Sequence, residues 1–205
     1  MNDILEIGID EAGYGPLLGT LNLCAFVTKS TFSHPIEDSK KAFKYKKISS
    51  LENKCKQYCY DFNSEKDITY NDIHFSESWH KHSGSRSDYF DLLELNKKNS
   101  SIYIASMYVN EFNNLVNNGL NKAEILISII HDLIEKALKN IDKKSQNINI
   151  KVDRLGGRKN YRDILISWGA LINNFEETPT LSSYDCELFN KKISIIIKSS
   201  QISSS

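Results

Sequence analysis

The chain contains 205 residues, of which 40% are hydrophobic, and it therefore has the length of one ordinary domain with a substantial core. Its formal net charge is zero, which disfavours a protein that wraps nucleic acid by bulk electrostatics, so any contact with a polyanion must be local. No stretch of about 18 consecutive apolar residues is present, so no transmembrane helix is expected.

The first predicted element is a strand over residues 4–10 that ends in two adjacent carboxylates, Asp10 and Glu11. Carboxylates at the end of a buried strand cost free energy unless a cation compensates them, and a divalent metal ion usually does so. Gly13 and Gly15 follow at once, and they allow the backbone to turn sharply and to approach a ligand. The alternative is that both acids only begin a loop and keep their charges in water.

Residues 21–28 predict a second strand, and residues 38–60 predict a mostly helical segment. At the start of that segment, the hydroxyl of Ser39 and the ammonium of Lys40 suit a phosphate oxygen. The alternative is a helix cap followed by lysines on a solvated face. The two roles are compatible.

Residues 61–99 are polar and weakly periodic, so we expect loops and a short helix there, inserted into the domain. Four potential zinc ligands lie in and before this segment: Cys55, Cys59, His80 and His82. A zinc site is disfavoured because an i,i+4 cysteine pair followed by His-x-His is not a common zinc spacing. The cysteines fit free thiols better than a disulfide framework, and no basic leader is visible at the N-terminus, so we expect a cytoplasmic protein.

A third strand is predicted over residues 101–109, followed by a short helix over residues 110–120 and an amphipathic helix over residues 121–140. Residues 148–153 form an alternating apolar run that ends in Asp153 and is followed by a glycine pair. This segment repeats the arrangement of the first strand, in which a carboxylate ends a strand and glycines follow it.

Three of the four arginines of the chain follow this strand: Arg154, Arg158 and Arg162. Arg158 and Arg162 are four residues apart and share a face if the segment is helical. Because arginine forks bind phosphate bidentately, the cluster predicts contacts with the backbone of a polyanion. The alternative is surface ion pairing with the nearby acids, which are Asp163, Glu176 and Glu177.

The last part of the chain predicts a helix over residues 161–171 and a hairpin formed by residues 182–188 and 191–198, with its turn near residues 189–191. Residues 199–205 are rich in serine and are expected to be loose.

The octet Ile-Asp-Glu-Ala-Gly-Tyr-Gly-Pro at residues 9–16 closely resembles the first active-site motif of type 2 ribonucleases H, the ribonuclease HII-like family. The resemblance implies that Asp10 and Glu11 bind catalytic metal. It also implies that the turn approaches the nucleic-acid backbone through three residues: Gly13, Tyr14 and Gly15.

Two further segments resemble motifs of the same family. Asp-Ser-Lys at residues 38–40 resembles a segment that approaches a substrate phosphate, which implies this role for Ser39 and Lys40. Val-Asp at residues 152–153 resembles the end of the central strand of the ribonuclease H fold, which implies that Asp153 is the third metal ligand.

The resemblance implies an α/β fold with a ribonuclease H-like mixed sheet, in which three antiparallel strands are joined by parallel strands and flanked by helices. We expect a single domain over residues 1–198, with a polar insertion at about residues 61–99 and a loose tail over residues 199–205. Parallel pairing of residues 4–10 with residues 148–153 would bring the three acids to one end of the sheet. Since side chains alternate along a strand, the first strand is expected to end or twist between its two acids.

The activity that the resemblance implies is metal-dependent hydrolysis of RNA in RNA/DNA hybrids, or of ribonucleotides embedded in DNA. Two Mg2+ or Mn2+ ions about 4 Å apart would serve this reaction. The expected partner is such a nucleic acid rather than a membrane, and the expected state is a monomer.

The sequence also departs from the family pattern. Tyr14 stands where the family has arginine, and no carboxylate follows Glu187, although the family places a fourth metal ligand about where Ser200 or Gln201 stands. The chain also ends at Ser205, before the helix that follows in the family, as a C-terminally truncated copy would. A catalytically impaired or inactive relative that binds nucleic acid is therefore the alternative function.

Overall fold

The computed structural model describes residues 4–12, 21–29, 90–97, 100–141, 147–155 and 158–198. Within these residues the chain forms an eight-stranded sheet and three helices. The strands are β1 (Ile4–Ala12), β2 (Leu21–Lys29), β3 (Phe90–Lys97), β4 (Ser100–Met107), β5 (Asn147–Asp153), β6 (Leu171–Glu177), β7 (Leu181–Leu188) and β8 (Lys191–Lys198). The helices are α1 (Val109–Asn117), α2 (Lys122–Asn140) and α3 (Arg162–Ser167).

The strand order of the sheet is β3-β4-β2-β1-β5-β8-β7-β6. The four strands β3, β4, β2 and β1 pair with one another in antiparallel fashion, whereas β5 is parallel to both β1 and β8. Strands β7 and β6 continue the sheet in antiparallel pairs. The expected mixed sheet with flanking helices is therefore confirmed, and so is the parallel pairing of the first strand with the strand that ends at Asp153.

One face of the sheet is packed against α2, and alternation along the strands decides which side chains lie there. Ile7 and Ile9 of β1 are buried on this face beside Ile150 and Val152 of β5. Helix α2 presents an apolar stripe that includes the fully buried Leu133, and it contacts β2 and β4. The residues between these buried positions point to the opposite face of the sheet.

Helix α2 begins at a capping box, which fixes the position of its first turn. The side chain of Asn121 accepts a hydrogen bond from the amide of Glu124 at 3.0 Å, and a carboxylate oxygen of Glu124 accepts one from the amide of Asn121 at 2.8 Å. Two amides at the start of the helix are thereby satisfied. No helix in the described ranges is long and apolar enough to cross a membrane.

The structure corrects two predictions of secondary structure. Residues 90–97 were expected to form loops and a short helix, but they form the edge strand β3, which pairs with β4. An edge strand has one paired neighbour and tolerates charged residues, so its sequence lacks a clear apolar alternation. The helix predicted over residues 161–171 ends at Ser167, because the backbone reverses at Gly169 (φ 86°) and the chain enters β6.

The predicted hairpin near the end of the chain is confirmed. Strands β7 and β8 are joined by Phe189 and Asn190, both of which have left-handed backbone conformations (φ 52° and 60°). This pair of conformations is typical of a two-residue turn whose twist matches that of the strands. The hairpin places β8 beside β5, so that Lys198 is the cross-strand neighbour of Asp153.

Several predictions fall on residues outside the described ranges. They concern the helical segment over residues 38–60, the tail over residues 199–205, the four potential zinc ligands and five of the predicted nucleic-acid contacts: Gly13, Tyr14, Gly15, Ser39 and Lys40. The division of the chain into one domain with a polar insertion also stays a prediction.

Candidate active site

Two of the predicted metal ligands lie at neighbouring ends of the parallel strands β1 and β5. The register of this pair runs to Ile9 beside Val152, so the next positions are Asp10 and Asp153. Ile9 and Val152 point into the core, and Asp10 and Asp153 therefore share the opposite face of the sheet. Asp10 is exposed, whereas Asp153 is half-buried.

Glu11 lies on the other face of β1, because the strand does not end between the two acids. The strand continues to Ala12, and both Asp10 and Glu11 remain paired with β2, opposite Cys24 and Leu23. The carboxylate of Asp10 accepts a hydrogen bond from the backbone amide of Glu11 at 2.9 Å. Both acids therefore lie within the paired part of β1.

The three acids interact electrostatically. Burial raises the pKa of the Glu11 carboxyl above its usual value, and the negative charges of Asp10 and Asp153 raise it further. These causes outweigh the hydrogen-bonding contribution of the backbone, which lowers the pKa of Glu11. Remote segments of the chain are therefore brought together so that their charges repel one another, and a cation at this edge would relieve the repulsion.

The donor set fits a hard divalent cation by its chemistry, since Mg2+ and Mn2+ prefer carboxylate oxygens. However, no group of three or more His, Cys, Asp or Glu side chains in the described part of the chain is placed so that it could hold a metal ion. Cys24 lies opposite Asp10, and burial together with the charge of Asp10 raises the pKa of its thiol to about 11. The thiol therefore stays protonated at neutral pH in the metal-free protein.

Arg154, predicted to contact nucleic acid, binds the turn between β6 and β7. Its Nη2 atom donates a hydrogen bond to the carbonyl oxygen of Thr178 at 3.2 Å, and its Nη1 atom donates one to the carbonyl oxygen of Pro179. Its backbone amide donates to the carbonyl oxygen of Lys198 at 3.0 Å. These bonds attach the residue that follows Asp153 to two other parts of the sheet.

Arg162 and Arg158 have different surroundings from those of Arg154. Helix α3 begins at Arg162, so the two arginines do not share a helical face as they would if the whole segment were helical. The guanidinium of Arg162 lies 4.7 Å from the centre of the Phe175 ring. Its charge also helps to lower the pKa of Glu177, which agrees with the alternative interpretation of this arginine as a partner of nearby acids. Arg158 lies half-exposed beside α2.

A network of hydrogen bonds that the sequence did not reveal holds the segment after Asp153. The amide of Leu155 donates to the phenol oxygen of Tyr161 at 3.0 Å, and this phenol donates to the carbonyl oxygen of Arg158 at 3.3 Å. The amide of Tyr161 donates both to Glu177 at 3.0 Å and to the phenol oxygen of Tyr184 at 3.1 Å. No spacing predicts this network, since Tyr161 and Tyr184 are 23 residues apart.

The family profile of ribonuclease HII matches residues 7–166 of the chain. The match includes the three acids, and it covers more than half of the sequence. No curated protein sequence matches the chain significantly. Ribonucleases HII are nucleases that act on nucleic acids and generally depend on divalent metal ions. The profile match and the mixed sheet, with its acids at the ends of two parallel strands, lead to one conclusion: the chain belongs to the ribonuclease HII family.

Proposed function

We propose that the chain is a metal-dependent endoribonuclease that hydrolyses RNA in RNA/DNA hybrids or ribonucleotides embedded in DNA. The observation that carries this proposal is the placement of Asp10 and Asp153 at adjacent ends of the parallel strands β1 and β5, where their charges repel that of Glu11. Membership of the ribonuclease HII family supports it, because this family acts on nucleic acids. Repulsion of this kind destabilises a fold unless a ligand compensates it, so it is typical of functional sites.

We propose Asp10, Glu11 and Asp153 as the ligands of Mg2+ or Mn2+, although their side chains in the structure are not grouped closely enough to hold an ion. When bound, such ions lower the pKa of water and stabilise the departing oxygen of a phosphodiester. The protein contributes the positions of the ligands. The backbone amide of Glu11 holds the Asp10 carboxylate, and the bonds of Arg154 hold the end of the strand that carries Asp153. Gly13, Tyr14, Gly15, Ser39 and Lys40 are proposed to contact the substrate backbone.

The second candidate function is an impaired relative that binds nucleic acid without cutting it. Two observations favour it. The acids in the described residues do not form a group that could hold a metal ion, and Lys198 lies directly beside Asp153 in the sheet. A lysine ammonium at this position would compensate part of the negative charge that otherwise attracts a divalent cation.

Cleavage and binding assays on the same duplex separate the two candidates. The duplex carries a single ribonucleotide and a fluorescent label, and it is incubated with the purified chain and Mn2+ or Mg2+. We expect cutting by the parent chain and none by Asp10→Asn. Asp185→Asn serves as the matched control, because Asp185 is an exposed acid of the same sheet, on β7. Binding by the parent without cutting would support the impaired relative instead.

A further inference from the structure

A groove separates α2 from the segment that contains Arg158 and α3. Polar and aromatic side chains line most of it: Glu124, Ser128, His131, Arg158, Ser167 and Trp168. Two apolar side chains, Ile127 and Ile164, complete its wall. The groove is open to solvent along its length and differs in this respect from the packed core below it.

The aromatic side of the groove is held in a fixed arrangement. The ring of His131 lies 5.2 Å from the ring of Trp168 and 5.6 Å from that of Phe189, and both pairs are tilted by nearly 60°. The Nδ1 atom of His131 also lies 2.9 Å from a carboxylate oxygen of Asp132. Trp168 and His131 are half-buried, so each ring keeps part of its surface open to the groove. Preformed aromatic surfaces of this kind can stack on a nucleic-acid base.

The cationic side of the groove is supplied by Arg158. Its backbone is fixed, since its amide donates to the carbonyl oxygen of Leu155 at 3.3 Å and its carbonyl oxygen accepts from Tyr161 at 3.3 Å. Among the described residues its guanidinium makes no hydrogen bond, in contrast to that of Arg154. A guanidinium with unused donors suits a phosphate group.

The acid that faces Arg158 across the groove has another role. One carboxylate oxygen of Glu124 accepts a hydrogen bond from the backbone amide of Asn121 and completes the capping box of α2. The hydroxyl of Ser128 lies in the same groove and adds a second donor for an anion.

The groove shares part of its lining with a small apolar cavity of the core, of about 20 Å³. Ile127, Ile164 and Trp168 line both the groove and this cavity, which Val152 and Asp153 also line. The groove therefore lies next to the end of β5, the strand that carries Asp153.

We propose that this groove is a subsite for a single-stranded nucleotide of a nucleic acid that is bound at the three acids. Arg158 binds a backbone phosphate, and Trp168 with His131 receives an unpaired base. The proposal rests on the proposed function, since it extends the substrate surface of the same site. The preferred substrate of the site is then a duplex with an unpaired extension beside the cleavage position.

The fluorescence of Trp168 provides a direct test. The chain contains two tryptophans, so a Trp79→Phe background leaves Trp168 as the only one. The further change Asp10→Asn is expected to prevent cleavage, so Mg2+ can stay in the buffer. Three probes are compared: a duplex with a single-stranded extension, a blunt duplex of equal length and inorganic phosphate. We expect the extended duplex to quench Trp168, and we expect the other two probes to leave it unchanged.

Substitution of Arg158 measures the phosphate contact. In this background Arg158→Ala should weaken binding of the extended duplex about tenfold, the loss typical of a charge-assisted hydrogen bond, and should leave binding of the blunt duplex unchanged. Lys192→Ala is the matched control, because Lys192 is an exposed cation of the hairpin on β8 and does not line the groove. Circular dichroism confirms that each variant is folded.

The outcomes distinguish this proposal from the proposed function. Equal quenching by both duplexes, or quenching by inorganic phosphate alone, would overturn the subsite. Cleavage by the parent chain without quenching in the Asp10→Asn background would overturn the subsite and leave the nuclease intact. If the extended duplex quenches Trp168 in the Asp10→Asn background but the parent chain cuts no substrate, the subsite would be supported and the nuclease refuted.

Discussion

The carboxylate of Glu177 accepts a hydrogen bond from the phenol of Tyr184, which lies on the neighbouring strand of the sheet. The same oxygen of Glu177 also accepts a hydrogen bond from the backbone amide of Tyr161. One side chain of β6 therefore connects β7 to the segment that follows Asp153. Together with the bonds of Arg154, this connection attaches that segment to the sheet, and its strength can be measured.

Tyr184→Phe should destabilise the protein by about 1 kcal/mol, because it removes the hydroxyl that joins Glu177 to the amide of Tyr161. Urea unfolding followed by circular dichroism gives the change in free energy of unfolding. Tyr103→Phe is the matched control, since the hydroxyl of Tyr103 accepts one hydrogen bond, from Asn140 at 3.2 Å. An equal or larger loss in the control would contradict a special role for Tyr184.

The contribution of Glu177 to stability should depend on pH. Burial alone would raise the pKa of Glu177, but hydrogen bonds from Tyr184, Tyr161 and Arg162, together with the charge of Arg162, outweigh burial and lower it. Because the pKa is lower in the folded state, the stabilisation is complete above the unfolded value of about 4.5 and is lost as the pH falls through the folded value.

The difference in free energy of unfolding between the parent chain and Glu177→Gln should therefore be constant near neutral pH and should shrink in acid. Urea titrations at several pH values between neutrality and pH 3 measure this difference. A difference that grew as the pH fell would show that the carboxylate is not held in its charged form by these partners.

Glu11→Gln should stabilise the metal-free protein while it abolishes any cleavage. The substitution removes a charge that burial and two neighbouring acids disfavour. Thermal unfolding in EDTA should show a higher melting temperature for the variant. Addition of Mn2+ should raise the melting temperature of the parent more than that of Glu11→Gln. Glu187→Gln, which changes an exposed acid of β7, should behave like the parent in both conditions.

Arg154→Ala should destabilise the protein by about 2 kcal/mol, since it removes the charged hydrogen bonds to the carbonyl oxygens of Thr178 and Pro179. The free energy of unfolding is again measured in urea, with Lys159→Ala as the control, because Lys159 is a nearby exposed cation. A variant with unchanged stability and weakened binding to a duplex would instead place Arg154 in contact with the nucleic acid, as its position in the arginine cluster first indicated.

The sequence predicted the central part of the fold because its signals are local there. Strands β1 and β5 are apolar runs that end in acids, and α2 has a clear apolar stripe behind a capping box. The two edge strands, β3 and β6, were not predicted. Most residues of β6 are exposed, and its apolar residues include Leu171 and Phe175 on the surface, so it lacks the alternation that marks a strand with one buried face. Its conformation is determined by pairing with β7.

The sequence also indicated part of the candidate site, because some of its signals are local. The three acids follow from motifs within two strands, but the roles of the arginines depend on contacts between remote segments. Arg154 meets the turn at Thr178 and Pro179, about 25 residues later, and no spacing in the sequence reveals this. Trp168 lies at a groove because the chain reverses at Gly169, after a helix that is shorter than its pattern predicted.

The position of β1 and β5 in the strand order has a mechanical consequence. Three strands lie between these two and each margin of the described sheet, with β2, β4 and β3 on one side and β8, β7 and β6 on the other. Fraying begins at the margins of a sheet, where a strand has a partner on one side only. Fraying of β3 at one margin therefore leaves the pairing of β1 with β5, and with it the positions of Asp10 and Asp153, unchanged.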